Sequence, residues 1–156
     1  MFRISRRLDY GLQLMIALAN EPEGKPQSTA SLAEKLQIPL PFLHQIGHML
    51  MQASLIKASP GPHGGIRLNR QADSISALQI VEVLEGPIAL QPCPECNAKC
   101  ERFDVCSSQS AWNDLQKVVL DYLGGVRLDT LAQTSQSLPI FSMQMIPSKN
   151  IAISVS

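Results

Sequence analysis

Apolar side chains recur at helical spacing near the start of the chain. Ile4, Leu8, Leu12, Met15 and Ala19 share one face, and Leu14 and Leu18 widen it, which predicts a first helix over about 5–20. Two prolines and a glycine between Glu21 and Gln27 predict a loop. Ser28 or Thr29 can then cap a short second helix through Leu32, Ala33 and Leu36. Pro39 and Pro41 bracket a turn, and Pro41 suits the first position of a third helix over about 41–53. In that helix Leu43, Ile46 and Leu50 mark a buried stripe flanked by Phe42 and Met49. His44, Gln45, His48 and Gln52 collect on the other side. Two short helices joined by a tight turn, the second with a hydrogen-bonding outer face, match a helix-turn-helix. A plain three-helix bundle with solvated histidines is the competing reading.

The period then changes from helix to strand. Leu55-Ile56-Lys57-Ala58 can pair with Ile66-Arg67-Leu68 across Gly61-Pro62-His63-Gly64-Gly65, which predicts a hairpin. A hairpin directly after a recognition helix is a winged helix. Its glycine-rich tip permits a tight turn and a close backbone approach to phosphate. Ser76 is placed to cap a further helix through Leu78, Val81 and Leu84, ended by Gly86-Pro87. After a loop over about 87–107, a long helix is expected from Ser107 or Ser108 to Gly124-Gly125. Trp112, Leu115, Val119 and Tyr122 form its stripe, widened by Val118 and Leu123. Such a helix, apolar on more than one side, is expected to pack on its own domain and on a second copy, with burial inside one chain as the alternative.

The expected fold is therefore mainly α with a small β-wing. A winged helix-turn-helix DNA-binding domain (1–75) precedes a cysteine loop and dimerisation helices (76–131). The remainder, 132–156, is expected to be a mobile tail, without charge pattern or period from about 137 onward.

Composition sharpens this reading. The chain has 156 residues, 45% apolar, 17% charged and 4% aromatic, with no net charge. That is enough apolar material for a core, and too few aromatics for a base-stacking RNA-binding sheet. Neutrality conceals an asymmetry: residues 1–70 hold eight Lys/Arg against four Asp/Glu, and residues 71–156 hold five against nine. A basic front and an acidic rear suit a polyanion-binding module joined to something else. Arg3, Arg6 and Arg7 before an apolar stretch imitate a signal peptide, but Asp9 and Gln13 interrupt the run at helical spacing. The uncharged stretches 36–56 and 130–148 each contain two prolines, so no membrane span and a cytoplasmic location are expected. Neither a nucleophile–base pair nor a phosphate-binding glycine loop is evident, so the chain is not expected to be an enzyme. A small electron-transfer or disulfide-exchange protein is the alternative from that class.

Cys93, Cys96, Cys100 and Cys106 fall within fourteen residues, at Cys-x2-Cys-x3-Cys-x5-Cys spacing. Thiolates this dense on a proline-punctuated loop suit an iron–sulfur cluster, zinc or copper(I). The spacing is poor for a pair of zinc knuckles and acceptable for a cluster. Zinc and redox-active thiols remain alternatives. His44 and His48, four residues apart, are a further candidate metal pair.

The chain resembles the Rrf-two family of winged-helix transcription regulators, which includes IscR, NsrR and RirA. The resemblance covers about residues 1–131, from Arg3-Ile4-Ser5 and Asp9-Tyr10-Gly11-Leu12 through Phe42-Leu43-His44-Gln45-Ile46. It continues in Gly61 to Leu68, in Glu85-Gly86-Pro87, and in the cysteine loop running into Trp112. It implies a homodimer with crossing C-terminal helices and a 2Fe–2S or 4Fe–4S cluster that controls binding to a double-stranded DNA operator. Iron scarcity, nitric oxide, oxygen and superoxide are the candidate signals.

By the same resemblance Cys106, six residues before Trp112, and Cys100 match the last and middle of three family cysteines. The first would fall at Pro94, between Cys93 and Cys96, so either can serve. Gln109 stands where IscR-like members place a histidine ligand, and Asp9 stands where NsrR-like members place an aspartate lent by the partner subunit. The fourth ligand is then Cys96, Asp9 or an external molecule.

On the DNA side the third helix carries no charged residue, so base reading falls to His44, Gln45 and His48, with Gln45 suited to adenine. Phosphate contacts fall to Arg3, Arg6, Arg7, Lys57, Arg67 and Arg70. Pro41, His63 and Gly64 complete the expected DNA-facing set.

Overall fold

The computed structural model describes residues 4–21, 24–61, 64–90 and 109–136. Helix α1 spans Arg6–Ala19, α2 Thr29–Leu36 and α3 Leu40–Gln52. Strands β1 (Ile56–Ser59) and β2 (Gly65–Leu68) follow, then α4 (Ala77–Glu85), α5 (Gln109–Gly125) and α6 (Leu128–Gln136).

α1 begins where Ser5 Oγ accepts the Leu8 amide at 3.1 Å, relieving one of the unpaired N–H groups of the first turn. Its buried face is Leu8, Leu14, Met15 and Leu18, the apolar stripe of the sequence with its weight moved one position around the helix. Ser28 occupies the N-cap of α2, but its side chain makes no cap hydrogen bond. The turn between α2 and α3 is made by Gln37, in the left-handed region at φ 54°, and by buried Ile38. α3 starts at Leu40, so Pro41 sits at its second position rather than its first. The missing N–H is harmless there, because the first four helical amides lack intrahelical acceptors.

The hairpin pairs Ile56 with Leu68, Lys57 with Arg67, Ala58 with Ile66 and Ser59 with Gly65. One face carries buried Ile56 and Ile66; the other carries Lys57 and Arg67. A further bridge adds Gln27 beside Ile66, through N–H···O bonds of 2.8 and 2.9 Å in the two directions. α4 opens with a reciprocal capping box: Ser76 Oγ accepts from the Gln79 amide, and Gln79 Oε1 from the Ser76 amide. Gly86, at φ 86°, ends it.

One core joins α1, α2, α3, the hairpin, α4 and α6. The helix α6 was not expected, and it places the 131/132 boundary inside an ordered element. Leu128 and Ala132 are buried, and α6 packs on α1. Its start is tied down by the Leu128 amide donating to Ile75 O and the Ala77 amide donating to Val126 O, both at 2.9 Å. Residues 132–136, expected in a mobile tail, therefore belong to a helix that packs on α1. Residues 137–156 lie outside the described residues.

Candidate nucleic-acid interface and cysteine loop

α3 buries Leu43, Ile46, Gly47 and Leu50, and this leaves His44, Gln45 and His48 exposed together, with Pro41 at the exposed start of the helix. Half-buried Phe42 meets Tyr10 of α1 edge-on, with ring centroids 5.7 Å apart, and so fixes the helix's rotation. His44 Nε2 lies 3.4 Å from Thr29 Oγ1 at the start of α2, which orients that ring. The outer surface of α3 thus presents donors and acceptors of the kind that read base edges.

The wing is built close against the helix-turn-helix. A Cβ on Gly65 would stand 2.1 Å from the Gln27 carbonyl oxygen, and one on Gly64 would stand 2.3 Å from the Ser59 oxygen. Both positions therefore require glycine for contact rather than for backbone freedom. Gly61, at φ 118°, requires it for conformation.

The expected phosphate-binding cations separate into groups. Arg6 is exposed on the first turn of α1. Arg7 is engaged: its Nε donates to Glu85 Oε1 at 3.2 Å. Lys57, Arg67 and Arg70 line a cleft with Leu18, Ala19 and Glu21, to which neither α2 nor α3 contributes. Arg67 Nε also donates to Ser59 Oγ at 3.2 Å. Arg3 and His63 lie outside the described residues.

So do Cys93, Cys96, Cys100 and Cys106. Among the described residues no three His, Cys, Asp or Glu side chains gather into a metal site. Asp9 is exposed on α1, where Gln13 Nε2 donates to its Oδ2 at 3.0 Å. The described segments on either side of the cysteines are anchored. On the N-terminal side the Leu90 amide donates to Gln116 Oε1 of α5 at 3.2 Å. Five residues earlier, Glu85 Oε1 accepts from Ser5 Oγ at 2.6 Å and from Arg7. The bond from Ser5 holds the Glu85 carboxyl below the ordinary carboxylate range; partial burial opposes it, and the bond and charge of Arg7 assist it. α4 therefore ends beside the N-cap and first turn of α1, the turn that also carries Asp9. Neither Ser5 nor Glu85 was singled out as functional; Glu85 appeared only within the Glu85-Gly86-Pro87 motif.

α5 holds α4 along one side and leaves the other open. Trp112, Leu115, Val118 and Tyr122 are 43%, 39%, 63% and 68% exposed, so the stripe is left largely open among the described residues. No helix among the described residues is long and apolar enough to cross a membrane.

A helix-turn-helix followed at once by a paired two-strand wing is the architecture of winged-helix DNA-binding regulators. Residues 4–134 match the Rrf2 family, described as an iron-dependent transcriptional regulator, and the chain belongs to that family. The family comprises transcription regulators rather than enzymes. Protein rrf2 of Nitratidesulfovibrio vulgaris is 26% identical over 137 residues, covering 88% of this chain and 91% of the relative. The structure of CymR, the global cysteine regulator of B. subtilis, superposes with a TM-score of 0.73 at 32% identity, over 85% of this chain and 98% of that one. IscR of T. potens gives 0.70 at 26% identity, over 86% and 88%.

Proposed function

We propose that this regulator works as a homodimer whose operator binding is controlled by an iron–sulfur cluster held by the segment 93–106. Four thiolates so close together are a soft, multidentate donor set of the type such clusters require. Cys100 and Cys106, with Cys93 or Cys96, would hold it, and Asp9 of the partner or the remaining cysteine would complete it. When bound, the group would supply a redox-active iron–sulfide core whose integrity depends on iron supply and redox conditions. The observation that carries the reading is the density of the four cysteines; the described chain before them is held at Glu85 by Ser5 and Arg7 of α1 and at Leu90 by Gln116 of α5.

The open stripe of α5 supports the dimer, since an exposed contiguous apolar face favours a partner. Two reading heads must then engage half-sites about one helical turn apart, so a small change in their spacing alters affinity steeply. His44, Gln45 and His48 read bases; Arg6 and the wing backbone at Gly64 meet phosphates.

Purification without oxygen tests the cofactor. Brown protein containing iron and sulfide is expected, with the colour lost in Cys100→Ala. Colourless protein without iron or sulfide overturns the cluster. Zinc by metal analysis, or four titratable thiols alone, would instead assign the cysteines to a structural metal or to thiol chemistry.

A further inference from the structure

Behind the wing lies an open cleft of about 610 Å3, formed by the end of α1, the loop after it, the hairpin and the segment following β2. Three of its lining residues are cations: Lys57, Arg67 and Arg70. Lys57 and Arg67 stand directly opposite each other in antiparallel register. Like charges in that position repel and weaken a strand pair, unless an anion lies between them. Arg70 adds a third positive charge to the same hollow.

Among the described residues the charge is not compensated from within. Glu21 is the one acidic side chain among the described residues lining the cleft, and both its oxygens are engaged. Gln27 Nε2 donates to one at 2.9 Å, and Lys35 Nζ lies 3.5 Å from the other. Among the described residues no carboxylate pairs with Lys57, Arg67 or Arg70. The bond from Arg67 Nε to Ser59 Oγ orients the guanidinium on the outer face of the hairpin and leaves its terminal N–H groups for a ligand. Leu18, Ala19 and Ala72 add apolar wall. A hollow of this volume falls in the range of small-molecule sites and exceeds what a lone phosphate fills.

We propose that the Lys57–Arg67–Arg70 cleft binds a small phosphate-bearing molecule. The same chemistry is offered by the duplex backbone, and the sequence pattern assigns these cations to it. Two observations favour a free ligand. The site is concave, and it draws no lining from the helix-turn-helix pair α2 and α3.

Inorganic pyrophosphate is the probe, titrated into the full chain without DNA at constant ionic strength and followed by amide NMR shifts. Saturable binding is expected, with shifts at Lys57 and across Arg67 to Ala72. The variant R67Q/R70Q is expected to bind about tenfold or more weakly, the size of two lost charge-assisted hydrogen bonds. K117Q, an exposed cation on α5, is expected to bind as the wild type does. Non-saturable binding, equal loss in K117Q, or undiminished binding by R67Q/R70Q overturns the proposal. A second arm measures retardation of a promoter duplex. If the wild type shows no saturable pyrophosphate binding and R67Q/R70Q loses the duplex, these cations serve DNA alone and the proposal falls. If pyrophosphate binds and no duplex is retarded, the DNA contacts assigned above fail and the cleft stands.

Discussion

Arg7 and Glu85, 78 positions apart in the chain, share a contact of 3.2 Å between Nε and Oε1. Ser5 joins them, its hydroxyl donating to the same oxygen at 2.6 Å while accepting from the Leu8 amide. One carboxylate therefore ties the N-cap of α1 to the last residue of α4. Arg7, expected on sequence grounds to meet DNA, has its Nε engaged by this carboxylate.

This contact predicts a specific pH dependence. Glu85 has its folded pKa depressed, first by Ser5 and then by Arg7. Its contribution is therefore present above the ordinary carboxylate range and is lost as pH falls through the depressed folded value. Glu85→Gln should destabilise the protein at neutral pH by about 1 kcal/mol, since the pair is partly exposed and screened. Thermal melts of wild type and variant should converge as pH falls through the depressed folded value, where both come to carry a neutral side chain. A constant gap across that range would refute the linkage.

The wing predicts opposite outcomes for two glycines. Gly65→Ala pushes a methyl group into the Gln27 carbonyl and should destabilise the protein by about 1–3 kcal/mol. Faster amide exchange at Gln27 and Ile66 should accompany it, with weaker DNA binding. Gly47, inside α3, has nothing within 4 Å of where its Cβ would be. Gly47→Ala should stabilise the helix by about 0.5–1 kcal/mol. Denaturation midpoints for the pair settle both signs.

For the dimer, Val118 is the informative position, being 63% exposed on α5. Val118→Glu should leave the helical content of the single chain unchanged and weaken association by about 2 kcal/mol or more, by burying a charge at an apolar interface. Sedimentation at several concentrations reads the shift. Dimers of unchanged affinity would place the interface elsewhere.

The DNA face predicts a division between affinity and specificity. Gln45→Ala should reduce discrimination at one base pair, an adenine if the pairing is bidentate, by about 1–3 kcal/mol. Arg6→Gln should weaken all duplexes alike and lower the slope of log affinity against log salt by about 1. Binding measured on a mismatch series at several salt concentrations separates the two.

Much of the fold was legible because its elements announce themselves locally. The spacing of Leu43, Ile46 and Leu50 fixes which side of α3 is buried, and hence that His44, Gln45 and His48 face outward. Gly61 to Gly65 between two β-rich runs predicts the hairpin, while its register is read from the structure. Ser76 announces the start of α4, although its reciprocal partner Gln79 went unnoticed. α6 was missed because Leu128, Leu131 and Ala132 span barely more than one turn, too short a period to stand out. That helix forms because α1 offers an apolar surface to cover.

By itself the sequence determined the order of helices, the hairpin, the outward face of α3 and the thiol-rich segment, because periodicity and turn chemistry act between near neighbours. Only tertiary structure decided which of the basic residues are available. Arg7 pairs through Nε with Glu85, whereas Lys57, Arg67 and Arg70 converge on one cleft. The reason is physical. A charged side chain's role depends on what the fold brings within a few ångströms of it, and those neighbours are remote along the chain.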